Sequence, residues 1–200
     1  KVSYNTWITA KTVIANLWGE LAHKIGMNFD DIYKAWGLAT DRLISTKYMN
    51  AGVGDGGGCH PRDNIALSHI AREVDLSHDI FEDLMLARED HMEWIAELAI
   101  VKADESNLPI YILGEAFKPG TRINTGSPAV LLANILGENQ SVTTLTEFAQ
   151  PTERGVYVIG VQHPEYKDTV FPDDSVVIDP FRFLEPREGV EYIQIGKPNE

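Results

Sequence analysis

The chain has 200 residues and a mass of 22.3 kDa, with 44% hydrophobic and 24% charged residues, proportions that exclude a disordered tail or a fibrous repeat and leave room for one large domain or two small ones. Seventeen Lys and Arg against thirty Asp and Glu give a formal charge of -13. That balance excludes broad electrostatic attachment to nucleic acid or an anionic membrane and leaves any anionic ligand to a few placed cations. A single cysteine forms no internal disulfide and no multi-cysteine zinc site, a usage that points to a reducing compartment, and no apolar run reaches the roughly 18 residues of a membrane span. The expected location is therefore the cytoplasm.

Through about Glu105 the pattern is helical. Val13, Leu17, Leu21 and Ile25 follow one face, and Ile80, Leu84, Ala87, Met92 and Ile95 recur at helical spacing. The spacing predicts a helix from about Asn5 to Gly26, a short one opened by Asp30 or Asp31, and a longest one opened by Ser77 with Phe81 following. Between them lies Gly52-Val53-Gly54-Asp55-Gly56-Gly57-Gly58, a run that breaks helix and strand patterns and lets backbone approach a ligand closely, so a site is expected there. Pro61 suits the first turn of a helix continuing through Ile65, Leu67 and Ile70. Cys59 would then stand near a helix N-terminus, where the dipole and Arg62 favour the reactive thiolate; in an apolar setting a lone cysteine is instead a small buried hydrophobe.

After Asn107 the texture changes to short apolar runs bounded by turn residues: Ile110 to Leu113, Ser141 to Leu145, Val156 to Val161, Val176 to Ile178 and Tyr192 to Ile195. A helical stretch from Ser127 to Leu136 between the first two is the arrangement of a βαβ unit. The expected fold class is α/β overall: an all-α domain over residues 1–106, then a Rossmann-like α/β domain over 107–200 with a mainly parallel sheet. His60 is a sequence neighbour of Cys59, which is a poor geometry for a dyad. His23, His69, His78, His91 and His163 lack metal-ligand spacing and read mostly as surface residues, so no metal site is expected. Glu89-Asp90 and Asp173-Asp174 read as solvated faces or turns.

The run Gly52 to Gly58 with Cys59-His60-Pro61-Arg62-Asp63 resembles the catalytic-cysteine signature GxGxGGxCxPKD of the UDP-glucose/GDP-mannose dehydrogenase family, matching every glycine, the cysteine, the proline and the aspartate, with Arg62 in place of lysine. Lys1 and Asn5, with Asn16 further along, resemble the family's central helix and its KxxxN pair. Leu113-Gly114-Glu115-Ala116-Phe117-Lys118-Pro119-Gly120-Thr121, followed by Ser127-Pro128, resembles the LGxAFKPxT segment that opens its nucleotide-binding domain.

The resemblance implies oxidation of the C6 alcohol of a UDP-hexose to a UDP-hexuronate with two NAD, through a cysteine-bound thiohemiacetal and thioester. It implies Cys59 as nucleophile, Lys1 and Asn5 at the reacting carbon, and Asp63 orienting or activating water. Tyr48, Gly52, Gly54, Gly56 and Gly57 would surround the sugar, with Phe117 and Lys118 beside the sugar and diphosphate. Arg42 resembles an arginine that reaches a neighbouring subunit's site, and Arg182 a late substrate-binding arginine. A homodimer through the long helices is implied, with no nucleic-acid or membrane partner. NAD is held in the family mainly by a domain preceding the central helix. No strand followed by GxGxxG occurs here, so the chain is expected to be a fragment, inactive alone.

Two departures leave the sugar open. Thr121-Arg122-Ile123-Asn124-Thr125-Gly126-Ser127-Pro128 replaces the TxDxRxSP of many relatives, and Asp55 stands where the family has an aromatic residue. A UDP-N-acetylhexosamine or GDP-mannose dehydrogenase, a non-catalytic nucleotide-sugar-binding module, and a cysteine hydrolase pairing Cys59 with a distant histidine are the alternatives.

Overall fold

A computed structural model describes residues 2–45, 51–53, 59–137, 142–145 and 150–197. Its contacts divide the chain into two compact units, Lys1–Met49 with Arg62–Ala87 and Asn50–Pro61 with Arg88–Glu200. The elements are α1 (Val2–Ile25), α2 (Phe29–Leu38), α3 (Thr40–Leu43), α4 (Cys59–Glu73), α5 (Ile80–Ser106), β1 (Ile110–Leu113), α6 (Pro128–Gly137), β2 (Val142–Leu145), β3 (Val156–Ile159), a 3₁₀ turn at Pro164–Asp168, β4 (Val176–Asp179) and β5 (Glu191–Gln194).

The first unit is helical. Leu21, Ala71 and Phe81 form its core, with Trp18, Leu67, Ile70 and Val74 packed around them. The Trp18 ring meets Phe81 edge-on at 5.8 Å and Trp36 at 6.5 Å, the geometry that aromatic quadrupoles favour. Asn28 caps α2, its side-chain oxygen accepting from the Asp30 amide at 3.1 Å. The longest helix starts later than Ser77: Asp79 is the residue whose carboxylate accepts from the Glu82 amide at 3.1 Å and from the Ser68 hydroxyl at 2.7 Å. Ser77 is drawn off by a long-range partner, giving its amide and its hydroxyl to the Glu20 carboxylate. These two hydrogen bonds from Ser77 hold the Glu20 carboxyl below its ordinary pKa.

The second unit is an α/β sheet with every pairing parallel, in the order β2-β1-β3-β4-β5. The strand sequences Ile-Tyr-Ile-Leu, Val-Tyr-Val-Ile and Val-Val-Ile-Asp are nearly continuous apolar runs, as a sheet covered on both faces requires. Their side chains separate with period two. Ile110, Ile112, Val156, Val158, Val176 and Ile178 face Met92, Ile95, Ala99 and Ala103 of α5 and Ala129, Leu132 and Leu136 of α6. Leu113, Tyr157, Ile159 and Val177 face Tyr166, Phe171 and Leu184. Each such side chain, fully buried, contributes about 1.5–3 kcal/mol. β3 stops at Ile159, two residues before the apolar run ends, and β5 begins at Glu191 rather than Tyr192. Chain order runs outward from β1 to β2 and then crosses to β3 on the opposite side of β1, so the carboxyl ends of β1 and β3 flank the point where the winding reverses, the place where open α/β sheets bind ligands.

Candidate active site

Cys59 is the first residue of α4 and its side chain is exposed. Asp63 lies one turn further along the helix, is 63% exposed, and accepts from the Arg62 guanidinium at 3.0 and 3.1 Å. Its exposure leaves it open to solvent and to ligand. Asn5 falls within α1, but its side chain, together with Lys1, Tyr48, Gly54, Gly56 and Gly57, lies outside the described residues. Arg42 sits on α3 and is exposed.

Ahead of Cys59, the segment Ala51–Val53 is built into the sheet unit. Val53 packs against the core that α5 and α6 make with the sheet. The Ala51 carbonyl accepts from Arg182 Nη2 at 2.7 Å, and the Gly52 carbonyl is 3.2 Å from His91 Nε2. Gly52 lies against the Phe181 ring so closely that a Cβ would stand 2.8 and 2.9 Å from two of its carbons. Glycine at this position therefore answers a packing demand of the protein itself.

Arg182 and Phe181 owe their places to Asp179, the last residue of β4 and fully buried. Its carboxylate oxygens accept from the Phe181 amide at 3.0 Å and the Leu184 amide at 2.9 Å, closing a turn in which Arg182 has φ +56°. A non-glycine residue in this left-handed region costs on the order of 1 kcal/mol and persists where its surroundings over-determine it. The guanidinium is so determined: Nη1 donates to the carbonyls of Pro180 at 3.0 Å and Ile195 at 2.9 Å, and Nη2 to Ala51.

The loop after β1 opens at Gly114, whose φ of +90° brings it beside Val161 and the Tyr166 hydroxyl. It closes on itself where the Phe117 amide donates to the Ile123 carbonyl at 2.9 Å. Lys118 Nζ lies 5.2 Å from the Phe117 ring centroid, a cation–π contact that pairs the two predicted ligand residues. Ser127 secures the far end, donating to the Ala116 carbonyl at 3.3 Å and capping α6 by accepting from the Ala129 amide at 3.2 Å. Between this loop and the one after β3 lies an open cleft of about 490 Å³, lined by Pro119, Thr121, Arg122, His163 and Glu165. His163, read from the sequence as a surface residue, is 2% exposed and meets Tyr166 edge-on at 5.4 Å. His91, grouped by sequence with the surface histidines, is half-buried, and Asp179 and Phe181 are not among the residues the sequence singles out. Only the acid-turn pattern Asp179-Pro180 carried a signal for them.

Among the described residues no group of three His, Cys, Asp or Glu side chains is placed to hold a metal ion, and no helix is long and apolar enough to cross a membrane.

Residues 1–88 match the UDP-glucose/GDP-mannose dehydrogenase family, central domain. The chain is 30% identical over 138 residues to a UDP-glucose 6-dehydrogenase of Rhizobium meliloti, covering 68% of this chain and 31% of that protein. It is 29% identical over 136 residues to a GDP-mannose 6-dehydrogenase of Pseudomonas aeruginosa, covering 68% and 30%. The matched part thus spans about a third of the length of these relatives. In fold, the chain is similar to a crystal structure of GDP-mannose dehydrogenase from Pseudomonas aeruginosa, with a TM-score of 0.78 at 20% identity over 96% of this chain and 51% of that one.

Proposed function

From the premise that residues 1–88 belong to the UDP-glucose/GDP-mannose dehydrogenase family, we propose that this chain is part of a dehydrogenase that oxidises C6 of a UDP-hexose to the carboxylate. The observation that carries the reading is the anchoring of Ala51–Val53, the segment leading to Cys59, on the turn that follows β4. This joins the cysteine-bearing segment to the carboxyl edge of a parallel sheet, the edge where such sheets hold nucleotides. Phe117, Lys118 and Arg122, on the loop after β1, supply an aromatic wall and cations suited to a sugar diphosphate in a chain otherwise strongly acidic.

In this reading the Cys59 sulfur adds to the C6 aldehyde, forming a C–S bond while the carbonyl oxygen takes up a proton, and Lys1 and Asn5 stabilise the oxygen. The C6 alcohol would give one hydride to NAD, leaving the aldehyde, and the thiohemiacetal would give one to a second NAD, leaving the thioester; Asp63 orients the water that then cleaves the thioester, releasing the carboxylate and restoring the thiol. Tyr48 and the glycines at 52, 54, 56 and 57 surround the sugar. Arg42 serves a neighbouring subunit of a homodimer, in the cytoplasm. The functional division lies near residue 107, with the helical part before it and the nucleotide-sugar part after it.

NAD is the proposed oxidant, yet the first strand–helix connection among the described residues does not fit it. From Gly114 to Ser127 it is long and lacks the GxGxxG turn by which such sheets take a dinucleotide. The cofactor is therefore assigned to protein outside these residues.

The test is reduction of NAD by the natural gene product across UDP-glucose, UDP-N-acetylhexosamines and GDP-mannose, alongside Cys59→Ser. Two reduced cofactors per sugar, lost or stalled in the variant, are expected. Sugar-nucleotide binding without turnover would replace this reading with a non-catalytic binding module.

A further inference from the structure

We infer that Arg182 and His91 are positioning residues, which fix the backbone of Ala51–Gly52 and through it the approach to Cys59. The inference rests on the proposed function for its consequence, while its geometry stands by itself.

Three observations carry it. The guanidinium has five N–H donors. Both Nη1 hydrogens are engaged by Pro180 and Ile195, and Nη2 donates to Ala51, so three of the five donors are committed to backbone carbonyls. Secondly, Arg182 is held in the left-handed region by a turn whose buried carboxylate, Asp179, is spent on the amides of Phe181 and Leu184. That investment aims two consecutive side chains at one target, Arg182 at the Ala51 carbonyl and Phe181 at Gly52. Thirdly, His91 comes from a different element, α5, and meets the adjacent carbonyl, that of Gly52, at 3.2 Å. Consecutive carbonyls gripped from two elements, with an aromatic ring filling the space over the glycine, leave this stretch little freedom to move.

The experiment uses the natural gene product without sugar nucleotide or NAD. Amide hydrogen exchange is followed in peptides covering Ala51–Val53 and, as an internal control, β1 and β3, together with the rate of Cys59 alkylation by iodoacetamide. Arg182→Met and Arg182→Lys are both expected to speed exchange at Ala51–Val53 about tenfold and to change the alkylation rate several-fold, with β1 and β3 unaltered. His91→Ala gives a smaller increase, and His91→Gln, whose amide can still donate to Gly52, restores slow exchange. If Arg182→Met fails to fold, Gly52→Ala probes the same segment, because its methyl must displace the Phe181 ring. Unchanged exchange at Ala51–Val53 in Arg182→Met, or in both His91→Ala and Gly52→Ala, overturns the clamp. So does an Arg182→Lys variant that keeps slow exchange at Ala51–Val53. A protein that oxidises no sugar nucleotide would remove the proposed function and leave the exchange result standing.

Discussion

The two units differ in how completely they bury themselves. In the sheet unit β3 has no exposed residue and all four residues of β4 are buried, because helices and loops cover both faces. In the helical unit α2 has no buried residue at all, and Tyr33, Leu38 and Ile44 are 66%, 86% and 69% exposed. A single domain rarely leaves side chains of this size clustered in one stretch of chain unless something covers them. The contrast teaches that the sheet is closed by its own helices and loops, whereas the stretch from Tyr33 to Ile44 leaves large apolar side chains open, and the proposed homodimer would use that stretch.

Deleting part of the closed core should have the largest effect. Ile112→Ala, at a site with no exposure between strands and helices, is expected to lower stability by about 3–4 kcal/mol, read by chemical denaturation. A loss under about 1 kcal/mol would mean that the sheet is not close-packed. Next comes Asp179→Ala, which strands two amides and loosens the turn that carries Phe181 and Arg182. The expected cost is about 2 kcal/mol, accompanied by faster exchange at Ala51–Val53, and slow exchange there would separate that turn from the loop before Cys59.

Alkali offers a third way to sharpen the contrast. Burial, with smaller contributions from Tyr111 and Glu153, pushes the Tyr157 hydroxyl up to about 12 from an ordinary 10.0. The unfolded chain ionises first, so Tyr157's contribution is whole below pH 10 and is lost as pH rises toward about 12. Tyr157→Phe should flatten the fall in stability across that interval, and an unchanged slope would assign the fall to other groups. The smallest effect on stability belongs to the open unit: Leu38→Glu on α2 should change folding free energy by less than about 0.5 kcal/mol while weakening self-association in analytical ultracentrifugation. A Leu38→Glu protein that associates as well as the parent would place the dimer contact on another surface.

How far the sequence could be read depended on whether a feature is local. The sheet strands announced themselves because a strand buried on both faces must be apolar throughout, and Ser127-Pro128 marked the start of α6 through cap chemistry that lies within a few residues. The opening of α5 was misread because Ser77 looks like a cap in isolation, and only the long-range pairing with Glu20 diverts it. His163 looked like a loop histidine until the chain after β3 folded it in against Tyr166.

By itself the sequence determined the class of fold, the five strands and the longer helices, the position of Cys59 at a helix start, and the motif that ties residues 1–88 to a dehydrogenase family. Those properties follow from periodicity, capping and a contiguous signature, all of which are written along the chain. Only the tertiary structure decided that the sheet winds in the order β2-β1-β3-β4-β5, that Asp179 turns inward to hold Arg182, and that Arg182 and His91 meet neighbouring carbonyls from positions 131 and 39 residues away. Contacts at such separations arise from the packing of whole elements against one another, and no local pattern of side chains encodes them.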